Sequence, residues 1–368
     1  MDAMANWCAT HGVLLAPHTK TAMAPELIRR QLAAGAWGMT ASTVRHAEVA
    51  FAAGARRLIL AHQIVDTAQL EALSRLADSG AQIAVFVDSS AGLDILAPYA
   101  RRSPSITVLA EMGIAGGRTG VRSAQALYEL LDHIHSRDIT LSGVSAYEGL
   151  LPAIRRPLPP AYGAIPPTTE AVTEFVSSLA DAITGAIDRG LLAADAIITA
   201  GGSSAFDIVA DRLSGVAGAV ILRSGCYVTH DDGAYVYVSP LQEGNSPNLT
   251  PAGTLQPALR LWASVVSAPE PGKVIVNIGH RDFGDDIGSP ELLARATGGE
   301  VVPASGWTVA QTWDQHVRLD SSGQATGLHV GDVVLFGISH PCTTFDKWRV
   351  LLEIDDDHTV VDVIETRF

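Results

Sequence analysis

The chain has 368 residues, of which 47% are hydrophobic and 17% charged, and its formal net charge at pH 7 is −14. This length predicts two domains, and the apolar content argues against a disordered chain. The negative charge argues against nucleic acid as a partner, because a surface of this sign repels phosphates. No apolar run approaches the roughly 18 residues of a membrane span. The N-terminal stretch MDAMANWCATHG has no secretory signal pattern.

Cysteine and lysine are both scarce in this chain. The three cysteines, Cys8, Cys226 and Cys342, are scattered, which fits a reducing compartment, so we expect a cytoplasmic protein. Only three of the 25 basic residues are lysines, namely Lys20, Lys273 and Lys347. A general preference for arginine explains this scarcity without any function. We expect Lys273 and Lys347 at the surface.

Short β-branched runs alternate with helical patterns through the first two thirds of the chain. Helix PELIRRQLAAGA has Pro25 in its first turn and Gly35 at its end, and the next helix is capped by Ser42 or Thr43. The predicted strands are Val13–Pro17, Trp37–Ala41, Arg57–His62, Gln82–Asp88, Ser105–Glu111, Thr140–Tyr147, Ala196–Ala200 and Gly218–Arg223. Eight alternating units over about 225 residues predict a closed (β/α)8 barrel, with a doubly wound open sheet as the alternative.

Two segments depart from this alternation. The Pro-rich stretch 150–169 follows the sixth strand and is predicted to be a long loop. After Gly225 the segments YVTHDDGAYVYVSP, LRLWASVVSAPEPGKVIVNIGH, GDVVLFGISHPC and VLLEIDDDHTVVDVIETRF read as strands joined by turns. We therefore predict a barrel domain over residues 1–228 and a mostly β domain over residues 229–368.

Distinctive polar residues fall at the carboxyl ends of the predicted strands, where barrels carry their sites. They are Pro17-His18-Thr19-Lys20, Arg118, Tyr147-Glu148-Gly149, Gly201-Gly202-Ser203-Ser204 and Ser224-Gly225-Cys226-Tyr227. The last two groups follow strands seven and eight, the usual phosphate-binding position in barrels. A GGSS turn alone is more often a plain tight turn, so its location carries the prediction.

Lys20 lies within this ring of loops. Most lysines are solvated surface charges, but a lysine beside a phosphate site can act as a Schiff-base nucleophile. Arg118 lies in the glycine-rich loop EMGIAGGRTG, which suits a cation held against a ligand, although a solvent-facing arginine is the alternative.

The C-terminal SHPC segment carries His340 and Cys342. In an extended segment these two side chains project to the same side, and imidazole with thiolate suits zinc. An isolated H-x-C is more often a buried cysteine beside a hydrogen-bonded histidine. His316 and His280 are further candidates in the same domain, each more often structural when taken alone.

The motifs PHTKT, PELIRRQLAAGAWGMTAST, GRTGVR, YEG, AGGSS and SHPC together resemble the D-threonine aldolase and D-serine dehydratase family. These are fold-type III pyridoxal phosphate enzymes, built from an alanine-racemase-like barrel and a β domain. The resemblance spans nearly the whole chain. Family members begin with a further strand before PH-x-K-T, and since only 16 residues precede Pro17, we expect that strand to be absent.

The resemblance implies a role for each matched residue. Lys20 would bind pyridoxal 5'-phosphate as a Schiff base, and His340 and Cys342 would bind a divalent metal. The other residues implied to contact the cofactor or its phosphate are His18, Arg118, Tyr147, Gly202, Ser203, Gly225 and Tyr227. The family's dehydratases pair histidine with cysteine on zinc, whereas its aldolases pair histidine with aspartate on a metal such as manganese. Cys342 therefore favours zinc and a dehydratase, with manganese or magnesium as alternatives.

The resemblance implies a lyase acting on small D-β-hydroxy amino acids, foremost a D-serine dehydratase that yields a 2-oxo acid and ammonia. Lys20 would remove the α-proton, and His316 is a candidate proton shuttle or substrate contact. The alternatives are aldolase-type cleavage to glycine and an aldehyde, an amino acid racemase, a pyridoxal phosphate-binding protein without turnover, and a barrel lyase using Lys20 directly. Family members are commonly dimers, so we expect a homodimer.

Overall fold

Eight parallel strands form the first sheet of the computed structural model, which describes residues 1–158, 165–245, 253–297, 300–323 and 327–368. The strands are β1 Leu14–Leu15, β2 Met39–Ala41, β3 Arg57–Leu60, β4 Gln82–Val87, β5 Ile106–Met112, β6 Leu141–Ala146, β7 Ile197–Ala200 and β8 Val220–Leu222. Strand β1 pairs with β8, and the order then descends to β2. Seven of these strands lie within the predicted ones, and β5 extends one residue beyond the predicted end at Glu111.

The two ends of this sheet meet next to the predicted site. A parallel bridge joins His18 to Thr40, and the N–H of Thr40 donates to the Pro17 carbonyl at 2.8 Å. The N–H of Trp37 donates to the Leu15 carbonyl at 2.7 Å. The sheet is thus a nearly closed barrel. This confirms the predicted (β/α)8 architecture over the open sheet.

Helices cover the outside of the barrel. They are α1 Asp2–His11, α2 Pro25–Ala33, α3 Val44–Ala52, α4 Thr67–Asp78, α5 Ser90–Arg102, α6 Ala124–His135, α7 Glu170–Asp188 and α8 Phe206–Leu213. Pro25 begins α2 as predicted, and Thr43 rather than Ser42 caps α3 by accepting the His46 N–H at 3.2 Å. None of the helices in the described ranges is long and apolar enough to cross a membrane.

Helix α1, which precedes β1, was not predicted from the sequence. Its Trp7 is buried and packs edge-on against Phe206 of α8, with ring centroids 4.8 Å apart. Gly12 ends the helix at φ 65° and turns the chain into β1. The residues before β1 therefore form a helix packed on the barrel, not a strand.

The barrel interior is filled by a small apolar cluster, separate from the core under the helices: Ala16, Ile59, Ala84, Phe86, Leu109 and Ile221. Strands that are buried on both faces explain why the sequence shows short continuous apolar runs. Because Phe86 also lines the cavity above, this cluster forms the floor of the candidate site.

The described part of the Pro-rich stretch 150–169 is a loop, as predicted, and residues 159–164 lie outside the described ranges. Ile154 and Thr168 form an antiparallel bridge that closes the loop at its base. Arg155 ties it to α8 through an ion pair with Asp207 at 2.6 Å.

The segment YVTHDDGAYVYVSP is not a strand, which corrects the sequence prediction. Cys226–Val228 is a 3-10 turn, and Tyr235–Val238 is a short helix, α9. The cause is Asp231, whose Oδ1 accepts the N–H groups of Gly233, Ala234 and Tyr235. This capping starts a helical turn where the alternating YVYV pattern suggested a strand.

The C-terminal domain is antiparallel. Its strands are β9 Arg260–Glu270, β10 Lys273–Val276, β11 Glu291–Thr297, β12 Glu300–Pro303, β13 Trp307–Thr312, β14 Val317–Ser321, β15 Val333–Gly337, β16 Val350–Ile354 and β17 Val360–Glu365. The sheet order is β12-β11-β15-β9-β10-β14-β13, and β16 and β17 form a separate hairpin. A short helix, α10 Cys342–Phe345, follows β15 and lies against residues 19–21 of the barrel. The predicted β domain is thus confirmed, and it reaches the mouth of the barrel.

Candidate functional site

A cavity of about 460 Å³ opens at the carboxyl ends of the barrel strands. It is lined by His18, Lys20, Ser42, Thr43, Ala61, His62, Phe86, Glu111, Arg118, Thr119, Tyr147, Gly202 and Arg223. Five of the residues selected from the sequence therefore share one cavity: His18, Lys20, Arg118, Tyr147 and Gly202. They come from different barrel units and meet because parallel strands end at the same face.

Lys20 lies in a 3-10 turn, Thr19–Thr21, directly after β1. Its neighbour His18 has an Nδ1 that is buried and has no hydrogen-bond partner among the described residues. Burial, followed by the charges of Lys20 and Arg223, lowers the pKa of His18 well below its usual value. The first strand thus presents an amine and a neutral imidazole to the cavity.

Arg118 and Tyr147 form a cation–π pair across the cavity, with the guanidinium carbon 4.7 Å from the ring centroid. The Arg118 loop is held by the bridge between Met112 and Val121 and by Asp88, whose Oδ2 accepts the Gly120 N–H at 2.9 Å. Burial, together with the charge of Glu148, raises the pKa of Tyr147, so its hydroxyl stays protonated near neutral pH.

Several polar groups of the glycine-rich loops already have hydrogen-bond partners within the protein. The carboxylate of buried Glu148 accepts the N–H groups of Gly201 at 3.1 Å and Gly202 at 2.6 Å. The Ser203 hydroxyl accepts the Cys226 N–H at 3.3 Å. A Cβ on Gly225 would meet Thr21 Oγ1 at 2.5 Å, so this loop packs closely on the turn that carries Lys20.

Tyr227 differs from the other predicted phosphate contacts. Its side chain is buried, and its hydroxyl accepts a hydrogen bond from Gln31 Nε2 at 3.1 Å. It lines a different cavity, together with Cys8, Val13 and Leu15. The structure therefore directs this hydroxyl towards α1 and α2 rather than towards Lys20.

Arg223 and Glu111 also line the site, although they were not predicted from the sequence. Both were assigned only as the last residues of predicted strands. Arg223 is 6% exposed and donates to Thr199 Oγ1 at 2.8 Å and to the Ala146 carbonyl. Glu111 accepts from Gln63 at 2.5 Å. Their position at the carboxyl ends of β8 and β5 was the signal that could have identified them.

His340 and Cys342 lie together beside the Lys20 turn. The Sγ of Cys342 is 3.5 Å from Thr21 Oγ1, the residue next to Lys20, and 3.4 Å from Cys226 Sγ. Hydrogen bonds from Cys226 and His340 lower the pKa of Cys342 despite its burial. Burial lowers the pKa of His340, but hydrogen bonds with Cys342 and Asp286 outweigh it and raise the pKa to about 9.

The backbone that brings this pair together is not extended, which corrects the geometric reasoning from the sequence. Pro341 has φ −66° and ψ −40°, and Cys342 begins α10. The Thr344 hydroxyl donates to the His340 carbonyl at 2.8 Å, which closes the turn. The two side chains therefore meet across a helical turn rather than on one side of a strand.

His316 and His280 are not brought to the cavity. His316 is exposed in the turn between β13 and β14, where its carbonyl accepts the Trp313 N–H at 2.8 Å. His280 pairs with Asp285 at 2.6 Å. Of the two surface lysines, Lys273 pairs with Glu270 at 2.8 Å.

The fold is alanine-racemase-like. An ala racemase-like protein from Idiomarina loihiensis superposes with a TM-score of 0.72 at 17% identity, covering 98% of this chain and 91% of that chain. The family described as "Putative serine dehydratase domain" matches residues 258–354. D-threonine aldolase from Arthrobacter sp. is 28% identical over 365 residues, which are 97% of this chain and 86% of that protein. The chain is therefore similar to members of the D-threonine aldolase and D-serine dehydratase family, the resemblance that its motifs predicted.

Solved structures agree with this assignment of the fold. D-threonine aldolase from Filomicrobium marinum has a TM-score of 0.80 at 24% identity, covering 99% of this chain and 91% of that chain. D-threo-3-hydroxyaspartate dehydratase from Delftia sp. HT23 has a TM-score of 0.73 at 21% identity, covering 99% and 93%. Two mutants of such a dehydratase replace a histidine and a cysteine two positions apart, and the cysteine mutant is described as metal-free.

Proposed function

We propose that this protein is a pyridoxal phosphate- and divalent-metal-dependent lyase that acts on small D-β-hydroxy amino acids. One observation carries the proposal: Cys342 of the β domain contacts Thr21, the residue next to Lys20, so the candidate metal pair lies beside the turn whose Lys20 lines the cavity. Lys20 and Cys342 are more than 300 residues apart in the chain, and they belong to different domains.

The residues around the cavity fit an anionic aromatic cofactor. Among the described residues, its lining holds three cations, Lys20, Arg118 and Arg223, and one carboxylate, Glu111, so it favours an anion such as a phosphate ester. The Nδ1 of His18 needs a hydrogen-bond partner that the described residues do not supply. When bound, pyridoxal phosphate supplies a carbonyl carbon that condenses with amines and a ring that accepts electrons from Cα.

The protein's own residues would then divide the work. Lys20 Nζ would hold the cofactor and would move the proton at Cα of the substrate. Tyr147 and Arg118 would lie against the ring and its polar groups, and neutral His18 would offer a hydrogen bond without adding positive charge. Glu148 keeps the Gly201–Gly202 turn in place through its two hydrogen bonds.

His340 and Cys342 would hold a divalent metal, and thiolate with imidazole favours zinc. The described residues contain no cluster of three or more histidine, cysteine or acidic side chains able to hold a metal ion. A site with two protein ligands leaves positions for water and for the substrate hydroxyl. The metal would supply Lewis acidity, which stabilises negative charge on that oxygen.

We propose loss of the β-hydroxyl as the reaction, as in a D-serine dehydratase, which yields a 2-oxo acid and ammonia. Cys342 supports this, because mutants of a related dehydratase concern a histidine and a cysteine at the same spacing. Cleavage of Cα–Cβ to glycine and an aldehyde is the second candidate. It is supported by similarity to D-threonine aldolase over 97% of this chain.

One assay separates the two reactions. The purified protein, loaded with pyridoxal phosphate and Zn²⁺, is incubated with D-serine, D-threonine and D-threo-3-hydroxyaspartate, with and without a chelator. We expect 2-oxo acid and ammonia, and loss of both products with the chelator. Glycine and aldehyde without ammonia would establish the aldolase reaction instead.

Two further outcomes would overturn the proposal as a whole. The first is a protein that takes up no pyridoxal phosphate. Mass spectrometry would then find no cofactor adduct on Lys20 after borohydride reduction. The second is turnover that a chelator leaves unchanged, because it would remove the metal pair from the reaction. The expected homodimer stays a prediction, which sedimentation of the loaded protein checks.

A further inference from the structure

The loop GHRDFGDDIGSP, residues 279–290, carries His280 and packs on the SHPC segment. Ser339 is fully buried, and its hydroxyl donates to the carbonyls of Gly284, at 3.2 Å, and of Gly288. The Gly284 N–H donates to Thr344 Oγ1 at 3.0 Å. The loop and the metal-binding segment are therefore joined by buried hydrogen bonds on both sides of His340.

The close approach of the loop also depends on a glycine. A Cβ on Gly284 would lie 1.9 Å from Thr343 Oγ1, so no other residue fits there without displacing α10. The same Thr343 hydroxyl donates to Asp286 Oδ1 at 2.6 Å. This arrangement fixes the Asp286 carboxylate next to His340.

Asp286 binds one particular nitrogen of His340. Its Oδ2 is 2.9 Å and its Oδ1 3.1 Å from His340 Nδ1. A carboxylate accepts hydrogen bonds, so it keeps the proton on Nδ1 and leaves Nε2 as the lone-pair donor. The His340 side chain is 16% exposed and that of Asp286 is 49% exposed, so the carboxylate holds the ring from its solvent side.

We propose that Asp286 is the positioning residue of the metal pair: it selects the tautomer and orientation in which His340 Nε2 and Cys342 Sγ bind one divalent cation. The inference rests on the proposed function, because it presupposes that His340 and Cys342 bind metal. Carboxylates that accept the second N–H of a metal-bound histidine raise metal affinity, and their loss commonly costs 10- to 100-fold.

The neighbouring residue provides a matched control. Asp285 is in the same loop, and its carboxylate pairs with His280 at 2.6 Å instead of with His340. The side chains of Asp285 and Asp286 are 38% and 49% exposed, so both substitutions disturb the surface to a similar extent. Asp285→Ala therefore reports the effect of losing a carboxylate from this loop without touching the metal pair.

The test measures Zn²⁺ affinity of the cofactor-loaded protein by competition with a chromophoric chelator, for wild type, Asp286→Ala, Asp286→Asn and Asp285→Ala. We expect Asp286→Ala to bind Zn²⁺ about 10- to 100-fold more weakly. Asp286→Asn, which still accepts from Nδ1 but has no charge, should lose less, and Asp285→Ala should stay within about threefold of wild type. Replacement of Zn²⁺ by Co²⁺ should retain the thiolate-to-metal absorption in Asp286→Ala, because Cys342 remains a ligand.

Equal Zn²⁺ affinity of Asp286→Ala and wild type would overturn this inference while leaving the proposed lyase intact. An equal loss in Asp285→Ala would also overturn it, since the effect would then come from the loop in general. Wild-type protein without measurable Zn²⁺ binding would overturn the inference together with the metal dependence of the proposed function. The Asn variant keeps the side-chain volume, so it decides the question if the Ala variant does not fold.

Discussion

The sulfur atoms of Cys226 and Cys342 lie 3.4 Å apart, although the two residues come from the barrel's last loop and from the β domain. Cys226 is buried, and its hydrogen bond with Cys342 together with this burial raises its pKa, whereas the pKa of Cys342 is lowered. A disulfide requires about 2.05 Å between the sulfurs. A small movement therefore connects the candidate metal ligand to a second thiol.

We expect hydrogen peroxide to oxidise this pair in the metal-free protein. The Cys342 thiolate is the nucleophile. The two thiols and one hydrogen peroxide give one disulfide and two waters, so the protein loses two hydrogen atoms. Mass spectrometry should show this loss, Zn²⁺ binding should disappear, and dithiothreitol should restore it. Bound Zn²⁺ should protect the pair. If Cys226→Ser loses Zn²⁺ binding to peroxide with the same reversibility, the pairing is wrong.

Lys20→Ala should abolish the covalent attachment of pyridoxal phosphate and lower turnover by about 100- to 10,000-fold, because it removes the group that moves the proton at Cα. Lys273→Ala is the control, since Lys273 lies on β10 and pairs with Glu270. Borohydride reduction followed by peptide mass spectrometry, together with product assays, checks both variants. Attachment at Lys273, or full activity of Lys20→Ala, would contradict the assignment.

Tyr227→Phe should weaken the fold and leave the cofactor untouched. The variant leaves the buried Gln31 amide without its acceptor, which costs about 1–3 kcal/mol of unfolding free energy. Adding Gln31→Met removes the other partner, so the double variant should recover part of this loss. Urea unfolding and pyridoxal phosphate titration measure the two effects. Weaker cofactor binding by Tyr227→Phe would instead support the phosphate contact expected from the sequence.

Asp231→Asn should change how stability depends on pH. Burial, opposed by hydrogen bonds from the backbone of Tyr235 and Ala234, raises the pKa of Asp231 from 3.8 to about 7. Between these two values the folded state keeps a proton that the unfolded state releases, so stability falls as pH rises through this window. Asn retains the acceptor oxygen and does not titrate.

The difference in unfolding free energy between wild type and Asp231→Asn reports the titration of Asp231, because the other titrating groups are common to both proteins. From about pH 5 to about pH 8 the unfolding free energy of wild type should fall relative to that of Asp231→Asn by about 1–3 kcal/mol. Urea unfolding at several pH values measures it. Parallel pH profiles of the two proteins would show that Asp231 does not hold a proton in the folded state.

Local patterns were sufficient for the barrel strands and for five strands of the C-terminal domain, β9, β10, β15, β16 and β17, whereas β11–β14 lie in no predicted segment. Runs such as QIAVFV, now β4, are buried on nearly their whole length, and burial on both faces leaves a continuous apolar signal in the sequence. The helix at Tyr235–Val238 was not predicted, because YVYV itself alternates like a strand. The helical turn depends on the side chain of Asp231, four residues before Tyr235.

The chain's own sequence determined the eight-unit barrel, the identity of Lys20 as the amine at its mouth, and the pairing of His340 with Cys342, because each depends on neighbours in sequence. Tertiary structure decided which partners these residues have. Thr21 and Cys226 beside Cys342, Asp286 on His340 Nδ1, Arg223 in the cavity and Gln31 on Tyr227 are contacts between distant segments. Their distances depend on how the barrel closes and on how the β domain docks against it, and no local pattern carries that information.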